Sequence, residues 1–168
     1  MVDGYNKQDM KRIKNIISIL AAVVIAASSC TKEGETPLKT VNQELVGDWQ
    51  LSETTVEGAV VSKEVDVYLR IYSNGNFELY QKGTDQIRYD VYTGNCWSEN
   101  GNLLTGEYDN GTSWETRYIV KTTSNGFTLK SYDYLEEQKY VKAEIPKEVI
   151  DNANISTKSS TKISTPIL

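Results

Sequence analysis

The sequence contains no histidine, and only two cysteines and three prolines occur among its 168 residues. The absence of histidine removes the side chain that most often serves as a general base and as a metal ligand. Two cysteines far apart in the chain do not form a zinc motif or a redox pair. Basic residues number 18 against 23 acidic ones, whereas nucleic acids are bound through clustered Lys and Arg. We therefore predict no metal, no cofactor and no nucleic-acid partner.

Catalytic motifs are also missing from the sequence. It has no serine in a Gly-x-Ser-x-Gly turn and no glycine-rich phosphate loop. The adjacent acids Glu136 and Glu137 would point to opposite faces of a strand, so they do not form a glycosidase pair. The segment Asp109-Asn110-Gly111 lacks the later acidic ligand of a calcium loop and is typical of a hairpin turn. The sequence predicts that the protein is not an enzyme.

The chain lacks an apolar run long enough to cross a membrane, which takes about 20 residues. Residues 10–14 (MKRIK) are basic, residues 16–27 (IISILAAVVIAA) are apolar apart from Ser18, and small residues follow. This order is typical of a secretory signal. Residues 1–9 carry two acids and do not fit such a signal. We expect residues 1–29 to be the signal peptide, with Met10 as the true start.

Residues 27–30 (ASSC) resemble the lipobox of bacterial lipoproteins, in which the cysteine receives a diacylglycerol before cleavage. The resemblance implies that Cys30 carries acyl chains and anchors the protein to a membrane. Removal of residues 1–29 would take away four basic and two acidic residues, leaving 14 against 21 and a net charge of −7. A chain with this net charge is not expected to bind anionic lipid through a polybasic segment. Its membrane link must therefore be the acyl chains on Cys30.

The residues after Cys30 bear on the location of the protein. Thr31 and Lys32 differ from the Asp that retains some lipoproteins at the inner membrane. Glu33 and Glu35 resemble the acidic surface-export tag of some Gram-negative lipoproteins. We expect an outer-membrane lipoprotein that faces either the periplasm or the cell surface, and the acidic residues favour the surface.

The remaining chain divides into three parts by composition. Residues 30–42 form the lipidated cysteine and a polar, flexible tether. Residues 43–146 form one folded domain. Residues 147–168 form a short helix, indicated by the spacing of Val149 and Ile150, and a loosely ordered tail rich in Ser, Thr and Lys.

The folded domain has a hydrophobic period of two. Val65, Val67, Leu69 and Ile71 alternate with more polar residues, which is typical of a half-buried strand. Four Asn-Gly pairs, beginning at residues 74, 100, 110 and 125, separate such runs and favour hairpin turns. We predict an all-β, eight-stranded, antiparallel up-and-down meander. The predicted strands are residues 45–53, 65–73, 76–82, 86–97, 102–108, 113–121, 126–132 and 137–145.

Closure of this meander into a barrel would remove its exposed edges. Gly-x-Trp at residues 47–49 precedes Asn-Gly-Asn-Phe at 74–77 and Tyr-x-Gly-x-x-Trp at 92–97. This ordered set resembles the lipocalin-like domains of Gram-negative bacterial surface lipoproteins, over about residues 44–146. The resemblance implies a small barrel in which Gly47 allows close packing at a bend and Trp49 plugs the closed end.

Two functional hypotheses remain open. In the first, the outer surface of an anchored, monomeric barrel binds a protein or a glycan through outward tyrosines, although the usual role of tyrosines in strands is to form cross-strand pairs that stabilise the sheet. The second is a carrier of a small apolar or aromatic ligand in the lumen. Fifteen of the 16 aromatic residues lie between Trp49 and Tyr140 and could fill that lumen, which favours the interaction module. Cys96 is expected to be a small buried hydrophobe. The outward set is Tyr68, Tyr72, Tyr80 and Tyr92, and the inward set is Val67, Leu69, Phe77, Tyr89 and Tyr118.

Overall fold

The structure is a computed structural model that describes residues 39–61, 65–155 and 166–168. The predicted signal peptide, Cys30 and most of the predicted tether lie outside the described residues. Within these described residues, a short 3₁₀ helix at Gln43–Leu45 precedes ten strands and one α-helix, α1, at Lys147–Asn152. The strands are β1 (Gly47–Val56), β2 (Ala59–Val60), β3 (Val65–Ile71), β4 (Asn76–Gly83), β5 (Asp90–Glu99), β6 (Leu103–Tyr108), β7 (Tyr118–Thr123), β8 (Gly126–Ser131), β9 (Glu136–Lys142) and β10 (Asn154–Ile155).

Eight of these strands form a closed antiparallel barrel, as the sequence predicts. The pairing order is β5-β4-β3-β1-β9-β8-β7-β6, and a further pairing of β5 with β6 closes the sheet. The two extra strands are short: β2 forms a hairpin with β1, and β10 adds to β5 in parallel. Because every barrel strand has a partner on both sides, no barrel edge is left open for pairing with another chain.

The strand register defines the two ends of the barrel. We call the open end the one where β1, β4, β6 and β8 finish; there Val56 is opposite Glu136 and Val65 is opposite Gly83. The opposite end, where Gly47 of β1 is opposite Ile71, is the closed end. The turns at Asn74-Gly75, Asn100-Gly101 and Asn125-Gly126 lie at the closed end, and Asn110-Gly111 lies at the open end.

The four Asn-Gly pairs adopt different backbone conformations in their turns. Only Asn100-Gly101 has positive φ at both residues, 48° and 88°, as a type I′ turn requires. Gly126 has no such φ; a Cβ there would lie 2.0 Å from the backbone oxygen of Tyr140 on the paired strand. Glycine at this position therefore permits the close approach of β8 and β9, a different reason from the one the sequence suggested.

The barrel interior is filled by one hydrophobic cluster. It includes Cys96, which is 2% exposed as expected, and whose burial raises the pKa of the thiol to about 12. The aromatic rings pack mostly edge to face, as in Phe77 on Tyr108 at 5.7 Å and Phe77 on Trp114 at 5.4 Å. This arrangement adds to the free energy gained by burial alone.

A second, smaller cluster covers the outer wall of the barrel. Val149 of α1 packs with Ile145 and with the ring of Tyr80, and the half-buried Tyr68, Tyr89 and Val91 lie against this group. Among the described residues, no helix has the length and apolar character that a bilayer crossing requires.

This outer cluster explains where the predicted side-chain directions in β5 are wrong. The sequence pattern placed Tyr89 inside the barrel and Tyr92 outside. In the structure Tyr92 is buried in the interior, on the same face as Gly94 and Cys96, while Tyr89 lies outside, before β5 begins. On the outer wall, α1 covers Tyr89 and Val91. Their alternation with polar residues therefore marks a covered outer face, and the sequence pattern took that face for the barrel interior.

Candidate functional site

The closed end of the barrel is sealed by Trp49 and its neighbours. Trp49 is 6% exposed, its Nε1–H donates a hydrogen bond to the Leu45 carbonyl oxygen at 2.8 Å, and its ring meets Phe127 edge to face at 4.9 Å. Gly47 has a φ of 138°, and a Cβ there would meet the Trp49 ring at 3.9 Å. Packed side chains therefore fill this end of the barrel.

Four of the five predicted lumen residues lie in the interior cluster. Val67, Leu69, Phe77 and Tyr118 are all at most 4% exposed, and only Tyr89 lies elsewhere, on the outer wall. Their alternating positions on β3, β4 and β7 point their side chains inward. The interior is thus largely filled by the chain's own side chains.

The four tyrosines of the predicted outward set do not form a surface together. Tyr92 is in the core, Tyr80 is 4% exposed beneath α1, and Tyr68 is half-buried in the same outer cluster. Tyr72 alone is exposed, at 39%. The period-two pattern cannot reveal that a helix more than 60 residues later covers this part of the wall.

Tyr72 lies beside a charged cluster on the outer wall. The Arg70 guanidinium makes two hydrogen bonds to the Asp48 carboxylate, at 2.7 and 2.8 Å, and lies 3.5 Å from Glu78. These hydrogen bonds, with the positive charge of Arg70, hold the pKa of Asp48 below its usual value. Because the charges satisfy one another, the cluster is explained by strand pairing between β1, β3 and β4.

Residues 166–168 occupy the open end of the barrel. Leu168 is 2% exposed and belongs to the interior cluster, and the half-buried Ile167 packs against it. The composition predicted a loosely ordered tail, and this prediction is wrong for these three residues, which are packed against the barrel. Residues 156–165 of the predicted tail lie outside the described part of the chain. Ile167 and Leu168 are held at the open end because they are apolar and fill space between inward side chains.

Four side chains of the barrel hold the main chain of this segment. Gln81 Oε1 accepts a hydrogen bond from the Ile167 N–H at 3.1 Å. Gln138 Nε2 and the Tyr118 hydroxyl donate to the Ile167 carbonyl at 3.0 and 3.2 Å. The Tyr108 hydroxyl donates to the Leu168 carbonyl oxygen at 2.6 Å. We call these residues, Gln81, Tyr108, Tyr118 and Gln138, the polar cradle.

The polar cradle is buried and is oriented by further hydrogen bonds. Gln81 and Gln138 are each 1% exposed. The Tyr140 hydroxyl donates to Gln138 Oε1 at 2.9 Å, so the Gln138 amide nitrogen is directed toward Ile167 and toward Glu136, 2.8 Å away. Burial raises the pKa of Tyr108 and of Tyr118, so both hydroxyls remain protonated donors at neutral pH.

Exposed apolar side chains surround the same end of the barrel. They lie on three of its four loops or beside them, and we call them the apolar rim: Val56, Val60, Val61, Ile87, Tyr132, Tyr134 and Leu135. The hydrogen bond from the Glu57 N–H to the Leu135 carbonyl at 2.8 Å brings two of these loops together. Exposed apolar groups of this kind mark interaction sites more often than scattered single residues do.

Sequence reasoning missed Gln81, Tyr108 and Gln138. A signal for the two glutamines was present, because each occupies an inward position in its strand, in step with Leu79 or with Tyr140. A polar residue at a core position needs a hydrogen-bond partner. The partner is supplied by residues 166–168, which no local pattern connects to β4 or β9.

Two grooves on the described part of the chain are shallow and lie outside the lumen. One groove of about 340 Å³ runs between α1 and the β4–β5 loop and includes Tyr89 and Glu148. Another, of about 380 Å³, includes Gln50, Asp66 and Lys82. Within the described residues, no group of three or more His, Cys, Asp and Glu side chains could hold a metal ion. The open end is therefore the site where polar groups converge within an apolar surround.

Comparisons with known proteins identify a family and two solved structures to which this chain is similar. Residues 45–129 match the model of a family described as a lipocalin-like domain. A lipocalin-like protein from Bacteroides uniformis ATCC 8492 is similar at 17% identity and a TM-score of 0.47, over 60% of this chain and 99% of that one. The lipoprotein YedD from Klebsiella pneumoniae subsp. pneumoniae MGH 78578 is similar at 16% identity and a TM-score of 0.41, over 67% of this chain and 85% of that one. The comparison with curated proteins found no match.

Proposed function

This chain belongs to the lipocalin-like domain family, and we propose that it is a non-catalytic binding lipoprotein of the cell envelope. Its acyl chains on Cys30 hold it to the outer membrane, and the acids Glu33 and Glu35 favour the cell surface. The family is generally a non-catalytic binding fold, which agrees with the lack of histidine in the sequence. The binding site is the open end of the barrel.

One observation supports this site above others: the open end already holds an apolar segment, with its main chain hydrogen-bonded to the polar cradle. Binding pockets commonly combine an apolar lining with a few placed polar groups. The apolar rim lies around the same opening. By contrast, only Tyr72 is exposed among the four tyrosines on which an outer-surface interaction would depend.

A titration with the neutral apolar dye N-phenyl-1-naphthylamine tests the location of the site. The protein is the full chain carrying Cys30→Ser, which removes the acyl chains. We expect saturable, one-to-one binding that Tyr118→Trp weakens by about tenfold or more, because a larger side chain overfills the lumen. Tyr72→Trp is the matched control on the outer wall and should leave the affinity unchanged.

The opposite pattern would favour the outer-surface module: a loss of affinity with Tyr72→Trp and none with Tyr118→Trp. Absence of saturable dye binding by the folded parent chain would count against an apolar binding site at the open end. Circular dichroism and urea unfolding of each variant establish that the barrel is intact.

A further inference from the structure

We propose that the open end is a peptide-binding site that recognises the main chain of an extended segment with apolar side chains, and that residues 166–168 occupy it in the free protein. The proposal rests on the proposed binding role of the open end and names its ligand class. The expected partner is a polypeptide with such a segment, which competes with the chain's own Ile167 and Leu168.

The hydrogen-bond pattern carries the choice of a peptide. The cradle accepts from one amide N–H, through Gln81, and donates to two successive carbonyl oxygens, through Gln138, Tyr118 and Tyr108. A peptide bond supplies this alternation of donor and acceptor, and a hydrocarbon or a lipid chain does not. Buried amide groups of this kind are costly unless they are paired.

The contacts to the side chains of residues 166–168 are apolar. Leu168 is enclosed within the interior cluster, so the site selects for an aliphatic side chain. A charged side chain at this position would be buried without a counter-ion, which is strongly unfavourable. The recognised segment is therefore apolar at the residue that enters deepest.

Because the occupant belongs to the same chain, it competes at a high effective concentration. A ligand that binds the open end must displace residues 166–168, so it binds the free protein more weakly than it would bind the unoccupied site. Residues 166–168 thus act as a built-in competitor that sets a threshold for binding.

The test uses an acetylated, fluorescently labelled peptide with the sequence of residues 164–168 (STPIL). We expect the Cys30→Ser chain lacking residues 166–168 to bind it saturably and one-to-one, and the Cys30→Ser chain with those residues to bind it at least about tenfold more weakly. N-methylation of the peptide's isoleucine removes the donor to Gln81. Tyr108→Phe removes the donor to the leucine carbonyl but keeps the ring. Each change should weaken binding by about three- to tenfold, and Tyr72→Phe should not.

Equal binding by the methylated and unmethylated peptides, or by the shortened chain and its Tyr108→Phe variant, would overturn main-chain recognition. If the shortened chain fails to fold, Leu168→Ser in the full chain replaces it. Tighter peptide binding by the Leu168→Ser variant than by the parent chain supports the proposal, and equal binding by the two proteins overturns it. Dye binding at the open end without peptide binding would overturn the peptide proposal and leave the proposed function standing.

Discussion

We expect Trp49→Ala to lower the free energy of unfolding by about 3–5 kcal/mol, as other buried large-to-alanine changes do. The change removes a ring that is 6% exposed, its contact with Phe127 and its hydrogen bond to the Leu45 carbonyl. It also opens the closed end of the barrel to water. Urea unfolding followed by circular dichroism measures the loss, which is a large share of the roughly 5–15 kcal/mol of a typical domain.

Trp97→Ala is the matched control for this experiment. Trp97 is half-buried on β5, and its N–H donates only a long hydrogen bond of 3.3 Å to the Glu99 carboxylate. Its removal should cost about 1 kcal/mol, as is common for partly exposed positions. A Trp49→Ala variant that is no less stable than Trp97→Ala would show that Trp49 does not seal the barrel.

We expect Cys30→Ser to remove the lipid anchor, so that the protein is either released from the membrane fraction or left unprocessed. Serine cannot receive the thioether-linked lipid, and each buried CH₂ of an acyl chain contributes about 0.8 kcal/mol to membrane binding. The rest of the chain has a net negative charge, so it is not attracted electrostatically to anionic lipid. Fractionation of cells, with immunoblotting of the membrane and soluble fractions, should find the variant released or retained as the uncleaved precursor.

Ser28→Ala keeps a small residue ahead of the cysteine and is the control that should still be processed and anchored. A Cys30→Ser protein that is cleaved normally and remains in the membrane fraction would refute the lipid anchor. The outcome is independent of the binding site, because Cys30 and the barrel are separate parts of the chain.

The barrel could be predicted from the sequence because its signals are local. The alternation of Val67 and Leu69 with polar neighbours, the Asn-Gly pairs and the Gly-x-Trp motif each concern residues within a few positions of one another. Alternation gives the strand directly, since successive side chains point to opposite faces. The closed end then follows from the position of Trp49 at the start of the first strand.

The faces of β5 could not be predicted in this way. Alternation tells which residues share a face and does not tell which face lies inside, and α1 gives the outer wall an apolar patch of its own. Tyr80 and Val91 are therefore covered from outside, and Tyr92 takes the inward position. A pattern that assumes a single buried face fails wherever both faces are covered.

The open-end site was beyond local reasoning for a different reason. The hydrogen bond between Ile167 and Gln81 joins residues 86 positions apart. An inward glutamine indicates that a partner exists, but only the folded chain identifies it. The two tyrosines that hold residues 166–168 are Tyr108, which the sequence pattern does not single out, and Tyr118, which the pattern places in the lumen.

The most direct test of the open-end site is a chemical-shift map of the full Cys30→Ser chain, labelled with ¹⁵N and titrated with N-phenyl-1-naphthylamine. Gln81 and Gln138 carry side-chain amides inside the opening, and Arg70 lies on the outer wall beside Tyr72. We predict that the side-chain amide signals of Gln81 and Gln138 and the backbone amide of Leu168 shift in a saturable manner while those of Arg70 and Tyr72 stay in place. Shifts confined to Arg70 and Tyr72 would contradict the account.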